Sequence, residues 1–473
     1  MMNTQAFRLS MMVLALLLAG CAVGPDYKRP TMDTPATYKE DPLWTSAAPK
    51  DLAPRGAWWE VFGDPTLNEL ATQVASANQN IQQAQAQYRQ ALAAVSVTRA
   101  GYAPTIDADA STQRSRSVSS SKGGSIGNSH SLSLQASWEA DLWGKVSRGV
   151  ESDTATAQAS AATLAATRLS AEATLVQSYL QLRVTDALIA SQTTTVEAYQ
   201  KALQLTKNQF AAEQISRADV AQAQSQLQTA KATLIDYGIQ RSQYEHAIAI
   251  LIGKSPAEFS LVAAKLQAQQ PVIPPALPST LLERRPDIAA AERKVAAANA
   301  QIGVNKAALF PALSFSSSAG FSSALLNPWL SLPNRVWSLG ASLSQTLFDG
   351  GAKNAKVDES IAAYDAAVAS YRQTVLTSFQ EVEDNLAALR LLKDEIVEQT
   401  QAVDAAREAE RIAMNQYRAG MTAYTDVITT QNALNSAERS SLQLVSRQYV
   451  NSVALIKALG GGWQGSKADS PMQ

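Results

Sequence analysis

The 473-residue chain carries one unit twice, and this duplication limits its possible folds more than any single motif does. Residues 81–106 (IQQAQAQYRQALAAVSVTRAGYAPTI) align without a gap on residues 288–313 (IAAAERKVAAANAQIGVNKAALFPAL), so Pro104 and Pro311 stand 207 residues apart. The spacing recurs far downstream. FAAEQISRADVAQAQ at 210–224 faces YRAGMTAYTDVITTQ at 417–431, which pairs Asp219 with Asp426. Such a period lies far beyond the roughly 20–50 residues of solenoid repeats, so each copy is a large supersecondary unit. The run QQPVIPPALPS at 269–279 joins the copies, because its prolines cannot continue a helix and favour extended backbone. The units are therefore residues 64–268 and 285–461, with a proline-rich connector at 269–284.

Each unit reads as a helix, two strands and two very long helices. Asp64-Pro65 supplies an N-cap and a helical first position for a run lasting to about Gly101, and Arg285-Pro286 opens the matching run. Period-two segments come next. Leu132, Leu134, Ala136, Trp138, Ala140 and Leu142 alternate with Ser133, Gln135, Ser137, Glu139 and Asp141. Trp337, Leu339, Ala341 and Leu343 alternate likewise with Ser338, Gly340, Ser342 and Ser344, and Leu313 to Phe321 repeats the pattern. Ile106 to Thr112 is a weaker strand, with only Ile106, Ala108 and Ala110 on its apolar side. Residues 115–131 and 322–334 read as loops between strands.

A soluble sandwich with one solvated face is the commoner explanation of such strands. Here each hairpin is flanked by long helices instead of further strands, and four strands cannot bury both faces of a sheet. A sheet that is apolar outside and polar inside suits a barrel with lipid outside and water within. Four strands are too few to close one, so several chains are required.

Val146 to about Phe210 contains no proline and no glycine beyond Gly149, and at about 1.5 Å per residue it could reach about 100 Å. Ala352 to about Arg418 repeats it. Val368, Tyr371, Val375, Phe379, Val382, Leu386 and Leu389 form a heptad-like stripe, and Leu227, Ala230, Leu234, Tyr237, Tyr244, Ile248 and Leu251 form another on a returning helix. Both stripes call for coiled-coil partners.

Forty Lys and Arg against 41 Asp and Glu leave a net charge of −1, so no global basic footprint for nucleic acid exists. Past residue 20, no apolar stretch approaches the ~18 residues expected of a membrane-spanning helix. Before it, Arg8, the apolar run Leu9–Leu18 and the small residues Leu18-Ala19-Gly20 read as a secretory signal peptide over residues 1–20. Cys21, the sole cysteine, comes directly after and can form no internal disulfide. This arrangement resembles the bacterial lipoprotein signal, in which Cys21 becomes the lipid-bearing N-terminus; an ordinary signal peptide with a chance cysteine behind it is the alternative. Ala22 in place of Asp fits, by the same resemblance, release to the outer membrane. Several acyl chains, each contributing roughly 0.8 kcal/mol per buried methylene, would hold the chain on a membrane.

Five motifs in order carry a wider resemblance: WWEVFGDPTLNEL at 58–70, ERRPDIAAAERKVAAANAQIGVNKAALFPALSF at 283–315, QTLFDGGAKNAKV at 345–357, FQEVEDNLAALR at 379–390 and ALGGGW at 458–463. Together they resemble the TolC-like outer membrane factor family, in its NodT- and OprM-like lipoprotein branch, the outer membrane channels of resistance–nodulation–division efflux systems. The resemblance implies a mainly α homotrimer in which three sets of four strands form a twelve-stranded outer-membrane β-barrel, continued by a long periplasmic α-helical barrel. It also implies a belt built from the N-terminal segment 21–63, the connector and the tail 462–473. An inner-membrane resistance–nodulation–division transporter and a periplasmic adaptor would supply energy and substrate choice, and outer membrane lipid would hold Cys21. At the closed periplasmic tip, Tyr417 and Gly420 match the family's aromatic and turn glycine, Asp426 matches a constriction aspartate, and Asp219 matches the residue linked to the tyrosine. Two positions depart from the pattern, with Thr429 in place of a second aspartate and Glu213 in place of the first repeat's turn glycine.

No cofactor or catalytic chemistry is expected. His130 falls in a Gly/Ser loop and His246 on a helix, neither at metal-ligand spacing, while Gly123-Gly124 and Gly350-Gly351 read as turns. Three functions stay open: a passive efflux duct for drugs, metal ions or other small toxic compounds, an exit duct for type I protein secretion, and a structural lipoprotein that conducts nothing. The lipoprotein signal and the RRPDI motif at 284–288 favour the first.

Overall fold

Asp64 opens the first helix as its sequence context predicts. Its Oδ1 accepts from the Thr66 and Leu67 backbone N–H groups at 2.9 and 3.2 Å, and Pro65 takes the first helical position, where a missing N–H costs nothing. This helix, α1, spans Pro65–Ala77. The single run expected to reach Gly101 is in fact two helices. Asn78 has extended backbone, its Oδ1 accepts from Asn80 and Ile81 N–H, and its Nδ2 donates to the Leu251 carbonyl at 2.9 Å. A side chain that caps a new helix competes with continuing the old one, so the chain restarts as α2, Gln79–Arg99.

The computed structural model describes residues 22–32, 38–40, 56–119, 123–267, 271 and 285–461. The expected signal peptide, Cys21, nearly all of the connector at 269–284 and the tail at 462–473 lie outside the described residues. The remaining elements are β1 (Thr105–Ser119), β2 (Gly123–Ala140), α3 (Lys145–Ala211), α4 (Arg217–Leu251), α5 (Pro286–Ala307), β3 (Ala312–Ser323), β4 (Arg335–Ser344), α6 (Ala352–Arg418) and α7 (Tyr424–Ala458). Lys145 and Ala352 open helices of 67 residues each, and Arg217 and Tyr424 open helices of 35, in both cases 207 residues apart.

The chain divides into two units, one from the described residues of Met1–Met32, Ala86–Ala161 and Ala290–Arg372, the other from those of Asp33–Gln85, Ala162–Ala289 and Gln373–Gln473. The first contains the sheet. Its strands run antiparallel in the order β1-β2-β3-β4, so the two repeats join where β2 pairs with β3. The register sets like beside like: Ala108, Leu134, Ala319 and Trp337 form one row across all four strands, and Asp109, Ser133, Gly320 and Val336 the next, on the opposite face. One face is thus Ile, Leu, Ala, Phe and Trp apart from Ser317 in a middle row, with Trp138 stacked on Phe315 at 5.8 Å; the other is largely serine, with Ser111–Ser131 and Ser318–Ser338 hydroxyl contacts of 2.7 and 2.8 Å. The expected alternation holds.

Its extent does not. Residues 115–131, read as a loop, are mostly strand, since β1 continues to Ser119 and β2 begins at Gly123. Serine, arginine and glycine dominate there, with Val118 and Ile126 too few to mark a face, so the ladder and not hydrophobicity defines the strands. Gly123-Gly124 accordingly opens β2 instead of making a turn, whereas Gly350 and Gly351 do turn, at φ 67° and 89°. His130 moves from loop to strand for the same reason; it is buried, with Nδ1 at 3.1 Å from Thr112 Oγ1 and its ring against Trp329.

The second unit holds most of the apolar core. Phe62, Leu67 and Val74 pack with Leu175, Leu180, Ile248 and Val453 in one cluster, each large aliphatic or aromatic side chain contributing roughly 1.5–3 kcal/mol on burial. Both coiled-coil stripes are packed faces, with Tyr371, Val375 and Val382, and Leu227, Tyr237 and Ile248, all buried. Among the described residues no helix is long and apolar enough to cross a membrane.

Candidate functional site

The turns joining α3 to α4 and α6 to α7 carry the residues assigned to the tip. Helix α3 closes with Glu213 N–H donating to Phe210 and Gln214 N–H to Gln209, at 2.9 Å each. Helix α6 closes in the same way through Gly420 to Tyr417 and Met421 to Gln416, at 3.0 and 2.9 Å. This cap requires a left-handed residue. Gly420 supplies it at φ 72°, and Glu213 takes the same conformation at φ 59°, making it the sole positive-φ non-glycine among the described residues. The departure at Glu213 therefore changes the side chain and leaves the turn unchanged.

Asp219 and Asp426 each occupy the third position of the next helix. Asp219 forms a capping box: its Oδ2 accepts from Ser216 N–H at 3.0 Å and Ser216 Oγ at 2.8 Å, while Ser216 Oγ accepts from Asp219 N–H at 3.3 Å. Ala423 gives α7 no side-chain cap, and Asp426 accepts instead from the Thr422 hydroxyl. Both carboxylates also face the positive end of a helix dipole. Thr429 is exposed one turn beyond Asp426, its hydroxyl donating to the Thr425 carbonyl at 2.9 Å.

Tyr417 is buried, tilted against Tyr424 at 5.3 Å, and its hydroxyl donates to Gln209 of α3. Within this chain the Tyr417 hydroxyl thus bonds Gln209 and not Asp219, whose Oδ2 accepts from Ser216. Asp219 still acts on Tyr417 through its charge. Burial first, and then that charge, hold the Tyr417 hydroxyl above the usual phenol range, against the lowering influence of the neighbouring Thr206 hydroxyl. Burial likewise pushes Tyr424 up to about 12, so both rings stay neutral at physiological pH.

Comparison with known proteins decides what this tip belongs to. The family model described as outer membrane efflux protein matches residues 70–254 and again 277–461, two matches that start 207 residues apart. The chain belongs to the outer membrane efflux protein family. The antibiotic efflux pump outer membrane protein ArpC of Pseudomonas putida is 30% identical over 468 residues, covering 96% of this chain and 95% of ArpC. Nodulation protein T of Rhizobium leguminosarum bv. viciae is also 30% identical, over 99% of this chain and 96% of its own. The solved outer-membrane channel OprN superposes with a TM-score of 0.85 at 32% identity, covering 94% of this chain and all of OprN. The fold is that of the TolC-like outer membrane channels, with its helical portion on the periplasmic side.

One feature of this efflux protein leaves little mark in its sequence. Above the tip, the buried Tyr199 hydroxyl of α3 accepts from Gln226 of α4 at 3.1 Å and from Asn435 of α7 at 2.6 Å. Thr195 donates to Asn435 at 3.1 Å, and Gln226 meets Asn432. The group borders a cleft of about 200 Å³. The repeats echo each other again here, with Gln192 Nε2 on the Ala230 carbonyl and Gln399 Nε2 on the Ala437 carbonyl, both at 2.9 Å. The signal available was Asn and Gln at positions flanking an apolar stripe, which on a single helix reads only as a solvated face.

Proposed function

We propose that the chain is the passive exit duct of a tripartite efflux system, closed by three copies around one axis and driven by an inner-membrane resistance–nodulation–division pump through a periplasmic adaptor. The observation that carries this reading is the sheet: four strands, one apolar face, one serine-lined face, and β1 and β4 each bearing an edge with no strand partner among the described residues. Unpaired strand edges in a membrane are untenable, and pairing β4 of one copy with β1 of the next removes them all. Small drugs, metal ions or other toxic compounds are the cargo, since a wide wet lumen of serine makes few specific contacts.

Lipid attachment at Cys21 completes the anchor. What supports it is the chain directly after that residue. Val23 N–H donates to the Trp143 carbonyl at 3.0 Å, Asn299 holds the Pro25 carbonyl at 2.8 Å, and Asp26 pairs with Arg148 at 2.7 Å. These contacts lie where β2 passes into α3, beside Trp143 stacked on Phe310 at 4.8 Å, an aromatic pair of the kind found at membrane interfaces. Cys21→Ser is expected to assemble and to take up no labelled palmitate; continued labelling would remove the anchor.

At the tip, Asp426, Thr429, Asp219 and Tyr417 are the constriction residues of this reading, with one Asp426 from each copy gathered around the axis. Planar-bilayer recording from the purified channel, together with drug, metal and protein export by a deletion strain, tests the whole. Ion-selective pores and drug or metal sensitivity are expected. Absence of conductance would leave a structural lipoprotein, and loss of protein export alone would leave a type I secretion duct.

A further inference from the structure

The apolar band of the sheet ends abruptly, and beyond it the same face turns cationic. The band runs from Ala140, Leu313 and Leu343 to Leu132, Phe321 and Ala110. Nine residues of each central strand, eight steps of about 3.3 Å, make it about 26 Å long along the strand, in keeping with the roughly 9–11 residues that a tilted strand needs to cross a bilayer. Past its end this face carries Thr112 opposite His130, then Arg114 opposite Asn128 and Arg116 opposite Ile126 on the β1–β2 hairpin. Arg335 stands opposite Phe321 in the band's last row. All three arginines are exposed.

Two observations separate this from an ordinary solvated rim. No Asp or Glu occurs from residue 110 to 138 or from 308 to 348, although the whole chain is balanced at −1. Moreover, Arg114 and Arg116 share the outward parity of Ile106, Ala108 and Ala110, whereas the lumen-facing positions between them and beside them are Gln113 and Ser115. Arginines serving cargo would face the lumen; these face the lipid side, at the end of the band away from the helices.

We propose that Arg114, Arg116 and Arg335 form an outer-leaflet docking girdle for phosphorylated lipid, the phosphates of lipid A being its occupant. Guanidinium groups match phosphate oxygens two at a time, and basic residues just beyond an apolar band meet headgroups where the acyl chains pack on the band below. The proposal rests on the outer-membrane reading of the sheet.

Purified full-length channel is incubated in detergent with lipid A carrying both phosphates, or with the same lipid stripped of them, and bound lipid is counted by native mass spectrometry. Retention of the phosphorylated lipid alone is expected. Arg114→Gln/Arg116→Gln/Arg335→Gln should bind it about tenfold or more weakly, while lysine at all three positions, which keeps the charge but not the paired hydrogen bonds, should bind between the glutamine variant and the parent. Equal retention by the glutamine variant, equal retention of the stripped lipid, or full displacement by inorganic phosphate would each overturn the proposal. The heat-resistant oligomer band on gels reports assembly of every variant. A channel that assembles and conducts but binds no lipid A defeats the girdle alone, whereas one that never enters lipid defeats the membrane reading beneath it.

Discussion

Glu213 and Gly420 agree in conformation and differ in chemistry, which makes the tip turns a controlled comparison at the scale of single residues. A left-handed L-residue costs about 1–2 kcal/mol, so Gly420→Ala should lower the thermal stability of the assembled channel by that amount. Glu213→Gly should gain less than about 1 kcal/mol, because glycine's freedom in the unfolded chain offsets much of the relief. Equal melting of Gly420→Ala and the parent would show that the turn does not need φ 72°. The functional residues obey similar logic. Tyr417→Phe removes the hydroxyl that joins α6 to Gln209 of α3, worth about 1 kcal/mol, and is expected to raise resting conductance. Asp426→Ala removes an exposed carboxylate whose side-chain partner is the neighbouring Thr422, so it should abolish block by divalent cations while leaving resting conductance nearly unchanged. Bilayer recordings of both variants check this, and unchanged currents in each would reduce Tyr417 to packing and Asp426 to a helix cap.

At the scale of elements, the sheet's two faces make opposite demands. Trp138 lies in the apolar row with Phe315, and its neighbour Ser137 lies in the serine row with Ser316. Trp138→Arg should therefore cost roughly 2–4 kcal/mol near the midplane and Ser137→Arg little, read as heat stability of the assembled channel. Comparable losses would reverse the assigned facing. This alternation was legible because a period of two survives wherever large apolar residues mark one face. Beyond His130 the same strands continue in serine, glycine and arginine, and there the ladder alone holds them, so periodicity had nothing to report. Helix ends behaved similarly. Lys145, Ala211, Ala352 and Arg418 fall within about a residue of their expected places because glycines, prolines and the repeat fix them, whereas the break at Asn78 depends on a side chain reaching the Leu251 carbonyl from 173 residues away. The candidate site divides along the same line: the repeat paired Asp219 with Asp426 and the family resemblance singled out Tyr417 beside them, whereas the partners Gln209, Ser216 and Thr422 came only from geometry.

For the whole molecule, the internal duplication makes the junction between copies calculable. Strand β3 is β1 displaced by 207 residues, and β4 is β2 displaced by the same amount, since the β1–β2 and β3–β4 registers superimpose under that shift. The β2–β3 register is known, with Ser131 opposite Ser322. Carried over by the repeat, it sets Ser338 of one copy opposite Ser115 of the next. Directly opposed strand residues bring their Cα atoms to about 4.5–5.5 Å, inside the range a disulfide accepts. Ser338→Cys/Ser115→Cys should then cross-link covalently on mild oxidation and run as linked oligomers on non-reducing gels. Ser338→Cys/Gln113→Cys, out of register by two residues, should cross-link poorly. Preferential linking of the shifted pair would mean that the copies meet in a different register from the two halves of one chain. If neither pair links, β4 and β1 do not close the ring, and the sheet's two free edges must be covered some other way.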